Sequence, residues 1–237
     1  MAVPASRRER QREATLREIK QVARRLLVTK GAGAVSLRAI AREMGMTAPG
    51  LYRYFASHEE LLHALCQDIT AELCDRLEAA RDAVEGDAVT RLFATARALR
   101  AWALEHRAEF GLTFGGTTLP DLRLPPECRT GDPLHEQGYR FGRIFFDLFV
   151  EVWRTRGFAA PDPADLDPRL VPQLQTLQLG MGGRLPLGAC YVFLECWVML
   201  YGIVSLEVYG KLDFALTDTA PMFESYLRRI ADRLLTS

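Results

Sequence analysis

Few residues in this 237-residue chain have both the type and the spacing for covalent or metal chemistry. The four histidines, His58, His63, His106 and His135, are scattered, and no Ser-His-Asp set or carboxylate pair stands at usable spacing. His58-Glu59-Glu60-Leu61-Leu62-His63 imitates the zinc-protease pattern H-E-x-x-H. Its second histidine comes one residue late, so on a helix the rings diverge by roughly 140° and share no metal. The five cysteines, Cys66, Cys74, Cys128, Cys190 and Cys196, contain no CxxC pair. They read as reduced, partly buried thiols, with a redox-sensing thiol as the other reading. Gly180-Met181-Gly182-Gly183 follows no strand, so it is expected to be a hinge or turn and not a nucleotide loop. No catalytic residue, metal or cofactor is expected. The one constellation suited to a chemistry is non-covalent. Leu51 and Phe55 are four apart and can point inward together, which leaves Tyr52, Arg53 and Tyr54 outward. Hydroxyls and a guanidinium on a short exposed helix suit phosphates and base edges.

Two short helices broken by a turn must hold that group. Ser36 can cap the first, whose apolar residues Leu37, Ile40, Ala41 and Met44 recur on one face. Gly45 stops it, Thr47 caps the second, and Pro49 falls in the first turn, where its missing N–H costs nothing. A longer helix over about 13–30 offers the stripe Leu16, Ile19, Ala23, Leu26 and Leu27 as their support. Residues 1–13 read as a flexible basic arm, either a tail or a source of extra phosphate or minor-groove contacts. Charge marks the same region. Residues 1–57 carry twelve Lys or Arg against four acids, a charge of +8, which leaves −8 for the remainder of a chain whose net charge is zero. A basic head on an acidic body is the footprint of a polyanion binder.

The run S-L-R-A-I-A-R-E-M-G-M-T-A-P-G-L-Y-R-Y-F, followed by the acidic-apolar His58 to Leu62, closely resembles the DNA-binding domain of the TetR family of bacterial regulators. That resemblance implies an all-α fold: a three-helix helix-turn-helix domain, then a larger helical ligand-binding and dimerisation domain of about nine helices. By position in the family motif, Ala48, Pro49, Gly50 and Arg53 would lie near bases. Ser36, Arg38, Thr47, Tyr52, Tyr54 and His58 would contact phosphates. The boundaries are then 14–57 for the DNA-binding domain and 58–237 for the body.

Helices in the body are expected over about 58–84, 88–106, 107–114, 135–156, 169–179, 187–211 and 219–235, from apolar residues recurring every three or four positions. Loop 115–136, rich in glycine and proline, is too long for a plain connector. Phe141, Phe145, Phe149 and Trp153 repeat at intervals of four. With Trp102, Phe110, Phe114 and Tyr191 they are either ordinary core or the wall of an apolar cavity for a small hydrophobic or aromatic effector. Residues 187–211 are apolar nearly all round, so a second copy of this helix and of 219–235 is the simplest cover, giving a two-fold dimer. Around Trp197 to Gly202 the chain resembles a TetR C-terminal domain named for a Trp-His-Gly signature, with Tyr201 where the histidine would be. No run approaches the roughly eighteen apolar residues of a membrane span, and no apolar stretch follows the first arginines. The expectation is a cytoplasmic, ligand-responsive repressor, binding double-stranded DNA as a homodimer with no membrane partner. A regulator without ligand and an all-α enzyme are its alternatives.

Overall fold

The computed structural model describes residues 6–115 and 133–236 and contains, among them, ten α-helices and no strand. Residues 1–5, Cys128 and most of loop 115–136 lie outside the described residues. Helix α1 runs Arg7–Lys30, six residues earlier than the expected start at Glu13. Residues 7–13 are therefore helical, and the flexible-arm reading is corrected there. The cause is a reciprocal cap: the Glu9 N–H donates to Ser6 Oγ at 3.2 Å, and the Ser6 N–H donates to the Glu9 carboxylate at 2.6 Å. Two otherwise orphaned donors are satisfied, which offsets the lack of apolar partners in that turn.

Helices α2 (Leu37–Glu43) and α3 (Ala48–Leu51) follow, then α4 (His58–Asp82), α5 (Ala88–Glu105), α6 (Arg107–Phe114), α7 (Pro133–Thr155), α8 (Val171–Gly180), α9 (Leu187–Val208) and α10 (Ala220–Leu235). The chain forms two compact units. The first holds the described residues up to Thr70 together with Ala108 to Gly115, and so extends past the expected boundary at 57. Leu61, Leu62 and Leu65 are buried, Lys20 pairs with Asp68 at 2.5 Å, and Arg24 bonds the buried Glu109 at 3.3 Å. These contacts bind the first turns of α4 and most of α6 to α1. The core of this unit is Ile19, Ala23, Leu26 and Leu27 of α1 against Leu37, Ile40, Leu51 and Phe55.

The second unit packs α5 against α7, with α9 against α5, α7, α8 and α10. Helix α9 is long and apolar enough, by length and composition, to cross a membrane, contrary to the sequence expectation. Half of it is nevertheless buried by its neighbours. Its Glu207 side chain is only 1% exposed and accepts three hydrogen bonds of 2.8–3.0 Å from Arg100 of α5. A paired, buried carboxylate belongs to a helix packed in protein. Gly188 in its first turn lets the chain at Pro161 pass close by, because a Cβ there would strike the Pro161 carbonyl. Gly182 and Gly183 adopt φ of 78° and 65°, making the expected turn after α8.

Candidate functional site

The two short helices begin and end where backbone chemistry requires. Ser36 Oγ accepts the Ala39 N–H at 3.1 Å, and Thr47 Oγ1 accepts the Gly50 N–H at 3.2 Å. Between them Gly45 takes φ 65°, a left-handed conformation that glycine adopts without strain. Leu51 and Phe55 are 0% and 4% exposed, and Tyr52 is 50% exposed. Arg53 is also exposed, whereas Tyr54, expected outward with them, is half-buried. The second helix is regular only over Ala48–Leu51 and continues as turn through Tyr52–Tyr54.

Arg38, Thr47, Pro49 and His58 are exposed, whereas Ser36, Ala48 and Tyr54 are half-buried. Gly50 is buried, and a Cβ there would come within 3.1 Å of Thr47 Oγ1, so its contribution to any base contact is backbone only. His58 Nε2 lies 2.8 Å from the Val35 carbonyl and donates to it, so only Nδ1 can face outward. The Arg12 guanidinium sits over the Tyr54 ring, 5.3 Å from its centroid. Structural pairs use several of the head's cations. Arg25 and Lys30 hold Glu43, which the Arg25 hydrogen bond keeps below the usual carboxylate range, and Arg24 and Lys20 pair as described. Arg38, Arg42 and Arg53 make no ion pair among the described residues and remain available to an external anion.

In the second unit, an apolar cleft lies among four helices. Helix α5 contributes Leu92, Phe93 and Ala96, α7 contributes Phe145 and Phe149, and α10 contributes Leu227 and Ile230. Helix α9 supplies Phe193, Cys196, Trp197 and Leu200. About 310 Å³ lies between these atoms, open solvent at the mouth included, yet only about 10 Å³ could hold the centre of a water molecule. The cleft is thus closed down on itself. Its aromatics meet edge to face: Phe145 on Trp197 at 5.6 Å and Phe149 on Phe193 at 5.1 Å.

Of the eight aromatics expected in a ligand wall, Phe145 and Phe149 line this cleft and the others do not. Phe141 packs behind it on Trp197, and Trp153 packs on Phe158. Trp102 stacks near His106, and Phe110 and Phe114 pair with each other in the first unit. Tyr191 sits on the outer side of α9, its hydroxyl pKa raised by the Glu195 charge beside it. The missed lining residues of α5 and α10 lie on stripes that periodicity does reveal, whereas those of α9 carry no such signal.

Burial pushes the Cys66, Cys74 and Cys196 thiols up to about 12 and Cys190 to about 11, so the redox-sensing reading fails for these four. No group of three or more metal-ligating side chains occurs among the described residues.

Residues 19–65 match the family model described as bacterial regulatory proteins, tetR family. Residues 92–230, more than half of the chain, match the tetracyclin repressor-like C-terminal domain. The chain belongs to the TetR family. HTH-type transcriptional regulators of Mycobacterium tuberculosis and Mycobacterium bovis are 32% identical to it over 220 residues, which is 92% of this chain and 91% of each relative. The crystal structure of the regulatory protein SCO4313 aligns with a TM-score of 0.71 at 32% identity, covering 96% of this chain and 98% of that one. RolR, solved in complex with resorcinol, shares the fold at a TM-score of 0.56 and 16% identity, covering 95% and 94%. This TetR-family chain is thus a DNA-binding transcriptional regulator and not an enzyme. Tyr201 stacks on Trp197 at 5.7 Å, and burial raises its hydroxyl pKa.

Proposed function

We propose that this regulator is a cytoplasmic repressor that binds a palindromic operator as a homodimer and is released by a small hydrophobic or aromatic effector. The observation that carries the reading is the uncovered side of α9. Tyr191, Glu195, Val198, Gly202, Ser205 and Tyr209 follow one another at steps of four and three, and none of them is buried. Val198 is 67% exposed, Leu206 42% and Tyr209 45%, with Met222 of α10 at 39%. Large apolar side chains grouped on one helix face mark an association surface. The same face on a second copy is its simplest cover, through the helices near 187–211 and 219–235.

Two such protomers present two helix-turn-helix heads, as a two-fold DNA site requires. In that reading Ala48, Pro49 and Arg53 meet bases, Gly50 lends its backbone, and Ser36, Arg38, Thr47, Tyr52, Tyr54 and His58 meet phosphates. An effector acts by binding better to the conformation whose heads do not fit the operator. The apolar cleft supports that role, and RolR offers a case of the same fold holding a small aromatic. A second reading, a regulator without ligand, is favoured by the small free volume of the cleft.

Sedimentation of the full chain tests the core of the proposal. The wild type is expected at twice the protomer mass with a two-fold footprint on DNA, and Val198→Glu at the protomer mass with operator affinity reduced at least tenfold. A wild-type protomer that sediments alone and binds DNA equally well overturns it.

A further inference from the structure

The walls of the apolar cleft restrict what its occupant can be. No Asp, Glu, Lys, Arg or His lines it. The polar groups in the lining are the Trp197 indole N–H and the Cys196 thiol. Charges close to the lining are already paired: the Arg97 guanidinium, 6.0 Å from the Phe93 ring centroid, binds Glu224 at 2.8 Å, and Glu195, next to Cys196, pairs with Arg233 at 3.3 Å. The wall also contains its own gauge of solvation. Burial drives the Cys196 thiol up to about 12, chiefly because a thiolate there would lose its water. A carboxylate, phosphate or ammonium on a ligand would meet the same loss with no oppositely charged side chain in the lining to offset it.

We infer that this cleft selects uncharged ligands: planar or aliphatic carbon skeletons with at most one weak polar group, and no formal charge. The inference rests on the proposed effector role of the cleft and narrows it to a chemical class. Edge-to-face rings fit the reading, since Trp197, Phe145, Phe149 and Phe193 can pass their contacts from one another to a flat guest. Ala96, 2% exposed and the smallest side chain in the lining, sets the room available on the α5 side.

Two dyes with one skeleton test it: N-phenyl-1-naphthylamine, which is neutral, and 8-anilinonaphthalene-1-sulfonate, which adds a sulfonate. Fluorescence titration of the full chain, without DNA, should show the neutral dye binding at least about 100-fold more tightly. Ala96→Leu should weaken the neutral dye at least tenfold by filling the cleft from α5, and Leu227→Phe should do so independently from α10. Equal affinity for the two dyes, tighter binding of the sulfonate, or no binding of either overturns the inference. Neutral-dye affinity unchanged in whichever folded filling variant is obtained overturns it as well. If the neutral dye binds as expected but leaves a preformed operator complex intact, the release step of the proposed function fails while the selectivity of the cleft stands.

Discussion

Arg53 stands exposed just beyond α3 with no carboxylate paired to it among the described residues, while Arg24 and Arg25 on α1 are bound to glutamates. An unpaired guanidinium can offer two parallel donors to a guanine edge, an arrangement giving about 1–3 kcal/mol of discrimination. Arg53→Ala should therefore lose preference at one or two base positions in a selection from random duplexes. An even fall in affinity across all sequences would assign Arg53 to phosphate. Asp87 illustrates a purely structural role at the same scale. Its carboxylate accepts the Thr90 N–H at 2.9 Å and caps α5, and that backbone bond lowers its pKa from 3.8. A carboxyl with a depressed folded pKa adds stability above 3.8 that disappears as pH falls through the folded value. Asp87→Ala should cost about 1 kcal/mol at pH 7 by denaturant unfolding, and close to nothing below the folded pKa.

At the scale of elements, α1 illustrates what was legible and what was not. Its apolar stripe from Ile19 to Leu27 was plain from periodicity, because those side chains are the core of the first unit. Its start was missed because residues 7–13 show no apolar face, and the Ser6–Glu9 cap that fixes it is a four-residue signal inside a run of arginines. Ser36 and Thr47 read correctly as caps since each precedes an apolar turn. The aromatic row of α7 misled for a geometric reason. Steps of four residues advance 400° and slip 40° each time, so Trp153 stands about 120° around the helix from Phe141. Only the middle pair, Phe145 and Phe149, reaches the cleft. Helix α9 is apolar on most sides, so no pattern could single out Phe193, Trp197 and Leu200. The ordered start of α1 also sharpens a prediction. Deleting residues 1–12 removes the Arg12 guanidinium over Tyr54 and three further arginines, Arg7, Arg8 and Arg10. DNA affinity should fall and its dependence on salt should flatten. Unchanged binding at every salt concentration would show that this turn does not meet the duplex.

Across the whole molecule, a net charge of zero conceals the opposition of a basic head and an acidic remainder, so the pI of about 6.9 says little about the partner. The sign of the head is the relevant quantity, since each phosphate it neutralises releases counterions. The four buried thiols have a separate use that concerns neither DNA nor effector. Held as neutral sulfhydryls away from solvent, Cys66, Cys74, Cys190 and Cys196 should resist iodoacetamide for as long as the helices around them stay closed. Alkylation at those positions then becomes a clock for opening. Cys66 times the first compact unit and the other three time the second, and mass spectrometry of tryptic fragments would tell whether the two open together.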